Sequence, residues 1–200
     1  MMTFIGWMSA GLLAGIAYSS LFEWALHRYF MHRPTFNFRY PFERHALVHH
    51  RIFRADHTYH LVRDADKKTI PMAWWNAPVL ICLGLIPFFL FARLTHYWGA
   101  LAGGAVAMSA YYAAYEYIHW CMHLPRHRSV ERSGIFFRLN GHHLLHHRYM
   151  NRNFNVVLPL ADLLLGTLLT RSQVHFKQAL GPAVPDVQPK IKPAATPAGP

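Results

Sequence analysis

Apolar residues fall in three long blocks along the chain, and the histidines and most of the charged residues fall between and after them. Thr3 to Trp24 is mostly apolar over about 22 residues. A helix rising about 1.5 Å per residue crosses a hydrocarbon core of about 30 Å in that length. From His27 to Ile70 the chain is polar and basic, with nine Lys or Arg against four acids. Trp74 and Trp75 then precede a second apolar run through Leu90 and Ala92, and Arg93, His96, Tyr97 and Trp98 mark its far end as interfacial residues do. Gly99 to Ile118 is the third run. Its small residues Ala100, Gly103, Gly104, Ala107, Ala110 and Ala114 permit close helix contact in lipid. Residues 93–98 leave room only for a tight hairpin between the second and third runs. Pro78 and Pro87 each lack a backbone donor and are expected to kink the second helix. Val156 to Leu169 is apolar over only about 14 residues and is interrupted by Pro159 and Asp162, which predicts an interfacial or re-entrant segment.

The pattern therefore predicts an all-α integral membrane protein, with about three transmembrane helices and a helical cap carrying the polar segments. Residues 1–175 form the folded domain, and residues 176–200 are a Pro/Ala-rich tail expected to be disordered. Across 200 residues, 53% are hydrophobic and 14% charged, yet mean hydropathy is only +0.09 because apolar blocks alternate with basic ones. With three spans, the segments at 27–70 and 119–153 share one side of the membrane and hold fifteen of the twenty Lys and Arg. The positive-inside rule places that side in the cytoplasm. The formal charge of +11 is thus expected to meet lipid headgroups. A nucleic-acid partner is excluded by the apolar spans and by the lack of a basic, aromatic platform. Arg28, the first positive charge, follows the first apolar run, so that run is expected to stay as an anchor. Cys82 and Cys121 have no paired spacing and read as packing residues.

The chemistry-bearing residues are histidines in four groups. FEWALHRYFMHRP contains Glu23, His27 and His32, and HALVHHR contains His45, His49 and His50. YEYIHWCMHLP contains Glu116, His119 and His123, and HHLLHHR contains His142, His143, His146 and His147. The two halves read as a degenerate internal repeat, each an apolar helix ending in a Glu and two His, followed by a histidine triplet. On a helix, Glu116, His119 and His123 share one stripe, and HxxHH presents nitrogens that can reach two neighbouring ions. Neutral imidazole binds first-row transition metals, so the repeat suits two of them. Glu23 and Glu116 could bind metal directly; the favoured reading is that each accepts the second N–H of a ligating His and fixes its tautomer. His57, His60, His96, His127 and His175 stand outside the pattern.

At these motifs the chain resembles the membrane fatty acid hydroxylase and sterol desaturase superfamily, whose histidine boxes run HX3-4H, HX2-3HH, HX2-3H and HX2-3HH. The match is carried by His27 with His32, by His45 with His49 and His50, by His119 with His123, and by His143 with His146 and His147. NFNVVLPLADLLLGT also resembles the family's closing segment, with Asp162, Gly166 and Thr167 at matching places and Asn155 where a Gly is usual. Internal repeat alignment pairs His142 with His45, whereas the family spacing selects His143, which is preferred here.

The resemblance implies a non-haem di-iron monooxygenase, with those ten histidines as ligands, O2 as co-substrate and a lipid C–H bond hydroxylated or desaturated. Glu23 and Glu116 would help to balance the charge of the two iron ions, which zinc can replace on purification. A fatty acyl chain or a sterol is the expected substrate; a carotenoid hydroxylase-like activity and a non-catalytic metal-binding or transport role are the alternatives. No haem, flavin or iron–sulfur signature is visible, so electrons are expected from a separate reductase and carrier protein.

Overall fold

The structure, a computed structural model, describes residues 2–174, so the tail expected at 176–200 and His175 lie outside the described residues. The chain divides after Thr170 into a compact unit and a second unit starting at Arg171, of which one helical turn is described. The described residues are helical with no strand. Helix α1 (Phe4–Leu26) starts at Thr3, whose hydroxyl accepts the Gly6 N–H at 3.2 Å, and runs directly into a π-helical turn at His27–Met31. A helical segment follows, made of α2 (Tyr40–Phe42), a π-helical stretch at Glu43–His49 and α3 (His50–Ile52). After a 3-10 turn at Asp64–Thr69 come the two long helices α4 (Asn76–Thr95) and α5 (Trp98–His123). The compact unit closes with α6 (Gly134–Arg148) and the short α7 (Leu160–Leu164).

Small residues bring α1 and α5 together. Gly11 and Gly15 of α1 face Ala100, Gly104 and Ala107 of α5 so closely that a Cβ on Gly11 would lie 2.2 Å from the Ala100 carbonyl oxygen. A Cβ on Gly103 would lie 2.0 Å from the Met8 carbonyl oxygen. Of the small residues singled out on the third apolar run, Ala100, Gly103, Gly104 and Ala107 are buried, whereas Ala110 is exposed. Helix α4 packs along α5 after a reversal at His96, which takes the left-handed conformation (φ 61°) common at helix C-termini. Pro78 sits in the first turn of α4, where a missing N–H costs nothing, and the helix continues through Pro87.

Phe4–Met31 and Asn76–Thr95 are long and apolar enough to cross a membrane. Helix α5 has the length, 26 residues, but its glycines, alanines, tyrosines and terminal histidines dilute its apolar character. Cys121 is buried in a core with Tyr115, Met122, Phe136, Leu139 and Val156. Cys82 is exposed on α4, which corrects the reading of both cysteines as packing residues. The segment after the last histidines forms only the five-residue α7, with Ala161 and Asp162 buried and Leu163 and Leu164 exposed.

Candidate metal centre

The two halves of the repeat differ by one residue in their histidine spacing, and the backbone absorbs the difference. His119 and His123 are four apart on α5, which is α-helical. His27 and His32 are five apart, and there the backbone is π-helical, with the His32 N–H donating to the His27 carbonyl at 3.1 Å. An i→i+5 turn places residues five apart as an α-helix places residues four apart. The triplets obey the same rule. His143 and His147 lie on α6, while His45 lies within the π-helical stretch and His50 ends it, with the His50 N–H donating to the His45 carbonyl.

All ten motif histidines converge in two groups. The first is His27, His32, His45, His50 and His146; the second is His49, His119, His123, His143 and His147. Within each group, one nitrogen per ring lies within 4.8 Å of the others. Each group takes four histidines from one half of the repeat and one from the other. The middle member of each triplet, His49 or His146, crosses over, so each triplet serves both groups, as nitrogens able to reach two neighbouring ions should. The groups adjoin, with the His50 and His147 rings 4.3 Å apart between centroids.

The nitrogens fit an ion better than they fit one another. In the first group, the His45 Nε2 lies 2.8 Å from the His27 Nε2 and 3.0 Å from the His50 Nε2. The His146 Nε2 lies 3.0 Å from the His32 Nε2 and 3.2 Å from the His50 Nε2. In the second, the His143 Nε2 lies 3.2 Å from that of His123 and 3.0 Å from that of His147. Neighbouring nitrogens about 2.1 Å from a shared ion, at right angles, stand about 3.0 Å apart. The opposite edge of several rings is already committed. The Nδ1–H groups of His27 and His146 donate to the carbonyls of Phe154 and Arg152, the latter at 2.7 Å. Those of His49, His123 and His147 donate to Thr69, Tyr59 and Phe53 at 3.3, 2.8 and 2.5 Å. A carbonyl only accepts, so in these neutral rings Nε2 carries a bare lone pair. The Nε2 atoms of His49 and His119 are buried with no hydrogen-bond partner. Clustered, unshared lone pairs of this kind could hold metal ions.

Burial also keeps the rings in the ligating form. It pushes His32, His45, His50, His143, His146 and His147 well below the usual imidazole value, and neighbouring imidazoles add to the shift. Burial likewise lowers His49 to about 4, against the opposing bond to Thr69.

Among the described residues, neither expected carboxylate receives a histidine N–H. Glu23 accepts from the Tyr111 hydroxyl at 2.7 Å, the Asn155 amide at 3.0 Å and the Val156 N–H at 2.6 Å. Glu116 accepts from the Met72 N–H at 3.2 Å and the Tyr112 hydroxyl at 3.0 Å. The tautomer-fixing role read for them is filled by backbone carbonyls, which carry no side-chain signature. His143, and not His142, enters the second group. His142 instead turns its Nε2 to Asp162, 3.1 Å away.

Beside the first group lies an open pocket between α1, α4 and α5. Phe22, Leu26, Met31, Ile81 and Met108 are among its walls, and His27 and Glu23 also line it. Comparison with family models, with curated proteins and with solved structures gave no match. The resemblance drawn from the histidine spacing therefore rests on the residues alone, and these form a buried histidine cluster able to bind metal.

Proposed function

We propose that the protein is an integral membrane oxygenase that hydroxylates or desaturates a lipid, fatty acyl or sterol, at two iron ions held by the ten histidines. The observation that carries this reading is the adjacency of two buried five-histidine groups to an apolar pocket whose wall includes His27. In this reading α5 spans the membrane beside α1 and α4, and the histidine-bearing segments form a cytoplasmic cap, where the basic residues favour them.

When bound, iron supplies the activation of O2 and the removal of hydrogen from an unactivated C–H bond. For hydroxylation, one oxygen atom enters the C–H bond and the other leaves as water, with two electrons and two protons supplied by a separate reductase and carrier protein. The chain's own residues hold and shield. The Nε2 atoms would hold the ions, and the Phe154, Arg152, Tyr59, Phe53 and Thr69 carbonyls keep the rings turned. Phe22, Leu26, Ile81 and Met108 surround an aliphatic chain and keep water away from its reacting carbon. Glu23, fixed by Tyr111, Asn155 and Val156, places a carboxylate on the pocket wall without spending it on a ring N–H.

The test is O2 uptake by the lipid-embedded protein after anaerobic Fe(II) loading, with a chemical reductant and a mixed lipid extract, followed by mass analysis of the lipids. The expected product gains one oxygen or loses two hydrogens. Bound metal with no lipid change under any electron donor would turn the reading towards metal binding or transport.

A further inference from the structure

We propose that Asp162 is the positioning residue for the first histidine group, acting through the carbonyls of Arg152 and Phe154; this rests on the two-metal reading of the site. Asp162 is completely buried, and its carboxylate is saturated by four donors. One oxygen accepts the Phe154 N–H at 2.9 Å and the Thr167 hydroxyl at 2.6 Å, and the other accepts the Asn155 N–H at 2.8 Å and the His142 ring at 3.1 Å. Two of those donors are backbone groups of the loop that turns the histidines. Its Phe154 carbonyl takes the His27 Nδ1–H, and its Arg152 carbonyl takes that of His146.

Between these carbonyls Asn153 adopts a positive φ of 56°, a conformation that costs energy outside glycine and needs support from its surroundings. Support comes from the Asn153 side chain, which donates to the His142 and Leu169 carbonyls and accepts the Leu169 N–H at 2.6 Å. Asn155 returns a bond to the Asp162 N–H at 3.1 Å, closing the loop on its anchor. Asp162 thus holds the peptide that carries the Phe154 carbonyl directly, through the Asn155 N–H, and the peptide that carries the Arg152 carbonyl through Thr167, whose own carbonyl accepts the Asn153 N–H at 3.1 Å.

The second group is oriented from elsewhere. Its carbonyls belong to Phe53, Tyr59 and Thr69, in a segment that makes no bond to the Asp162 carboxylate. Loss of Asp162 should therefore weaken one ion and spare the other. Partners that orient a ligating ring are worth about 10- to 100-fold in metal affinity.

The experiment is Zn(II) titration of the full chain in lipid nanodiscs against a competing chelator, in two backgrounds. H49A leaves the first group complete, and H146A leaves the second complete. D162N is expected to weaken Zn(II) about 10- to 100-fold in H49A and to leave H146A unchanged. T167V, which removes one donor and keeps the carboxylate, should weaken the first site in the same direction by less, and serves if D162N does not fold. Equal weakening in both backgrounds, or none in either, overturns the proposal while the unsubstituted protein still binds two ions. An unsubstituted protein that fails to bind two ions overturns the two-metal reading and the proposal with it.

Discussion

Replacing His49 and His50 together should strip both ions from the protein, although the two residues are neighbours in the chain. They belong to different groups, because adjacent residues on a helical segment are turned by about 100° from one another. Each group has five rings, and losing one removes a nitrogen that lies within 4.8 Å of the other four. A directly ligating ring should matter at least as much as a partner that orients one, so each loss is expected to cost about 100-fold in affinity, or about 2.7 kcal/mol. A chelator set between the intact and weakened affinities converts this into a count. H49A and H50A should each retain one ion per chain, and the double variant none. H49A combined with H147A should retain one, because both rings belong to the second group despite lying in different halves of the sequence. The assay is metal content by mass spectrometry after equilibrium with the chelator. A H49A/H50A protein that still holds one ion would refute the crossed arrangement and restore one ion to each half of the repeat.

Acid should destabilise the metal-free protein in a defined window. The His49 value is lowered to about 4 in the fold against about 6.5 when unfolded, so its neutral ring contributes fully above pH 6.5 and the contribution is lost as pH falls towards 4. That amounts to about 3 kcal/mol, and H49Q should show a correspondingly flatter dependence of melting temperature on pH; parallel curves would contradict it. G103V should drive its Cβ into the Met8 backbone and cost about 1–3 kcal/mol or more, whereas G134V, with open space around it, should cost far less; equal melting temperatures would count against the α1–α5 contact. H143A should lose the second ion. H142A, measured by the same metal count, should keep it, and the opposite pattern would mean that the internal repeat, and not the family spacing, identifies the ligand.

What could be read in the sequence depended on whether a side chain carried the information. The ten histidines were legible because their types and spacings repeat, and the structure brings all ten together. Which triplet member joins the other half's group was not legible, and His27 with His32, like His45 with His50, are one residue further apart than their counterparts, a difference that only a π-helical turn absorbs. The carbonyls of Phe53, Tyr59, Thr69, Arg152 and Phe154 were invisible because any residue supplies a carbonyl. Glu23 and Glu116 suggested a role at the rings through proximity on their helices, yet nearby tyrosines and loop N–H groups hold them instead. The small residues of α5 signalled a close helix contact, but its partners Gly11 and Gly15 become recognisable only once α1 lies against them. Asp162 had a signal in the resemblance of its segment, although its link to His142 and the loop requires the fold.

The central claim is a histidine-ligated pair of metal ions, and X-ray absorption on the Fe(II)-loaded, lipid-embedded protein, with iron and protein counted in the same sample, tests it most directly. The account predicts two irons per chain, each surrounded by imidazole nitrogens at roughly 2.1 Å, with both lost in H49A/H50A. A single iron per chain, or iron whose surroundings are unchanged in that variant, would contradict it.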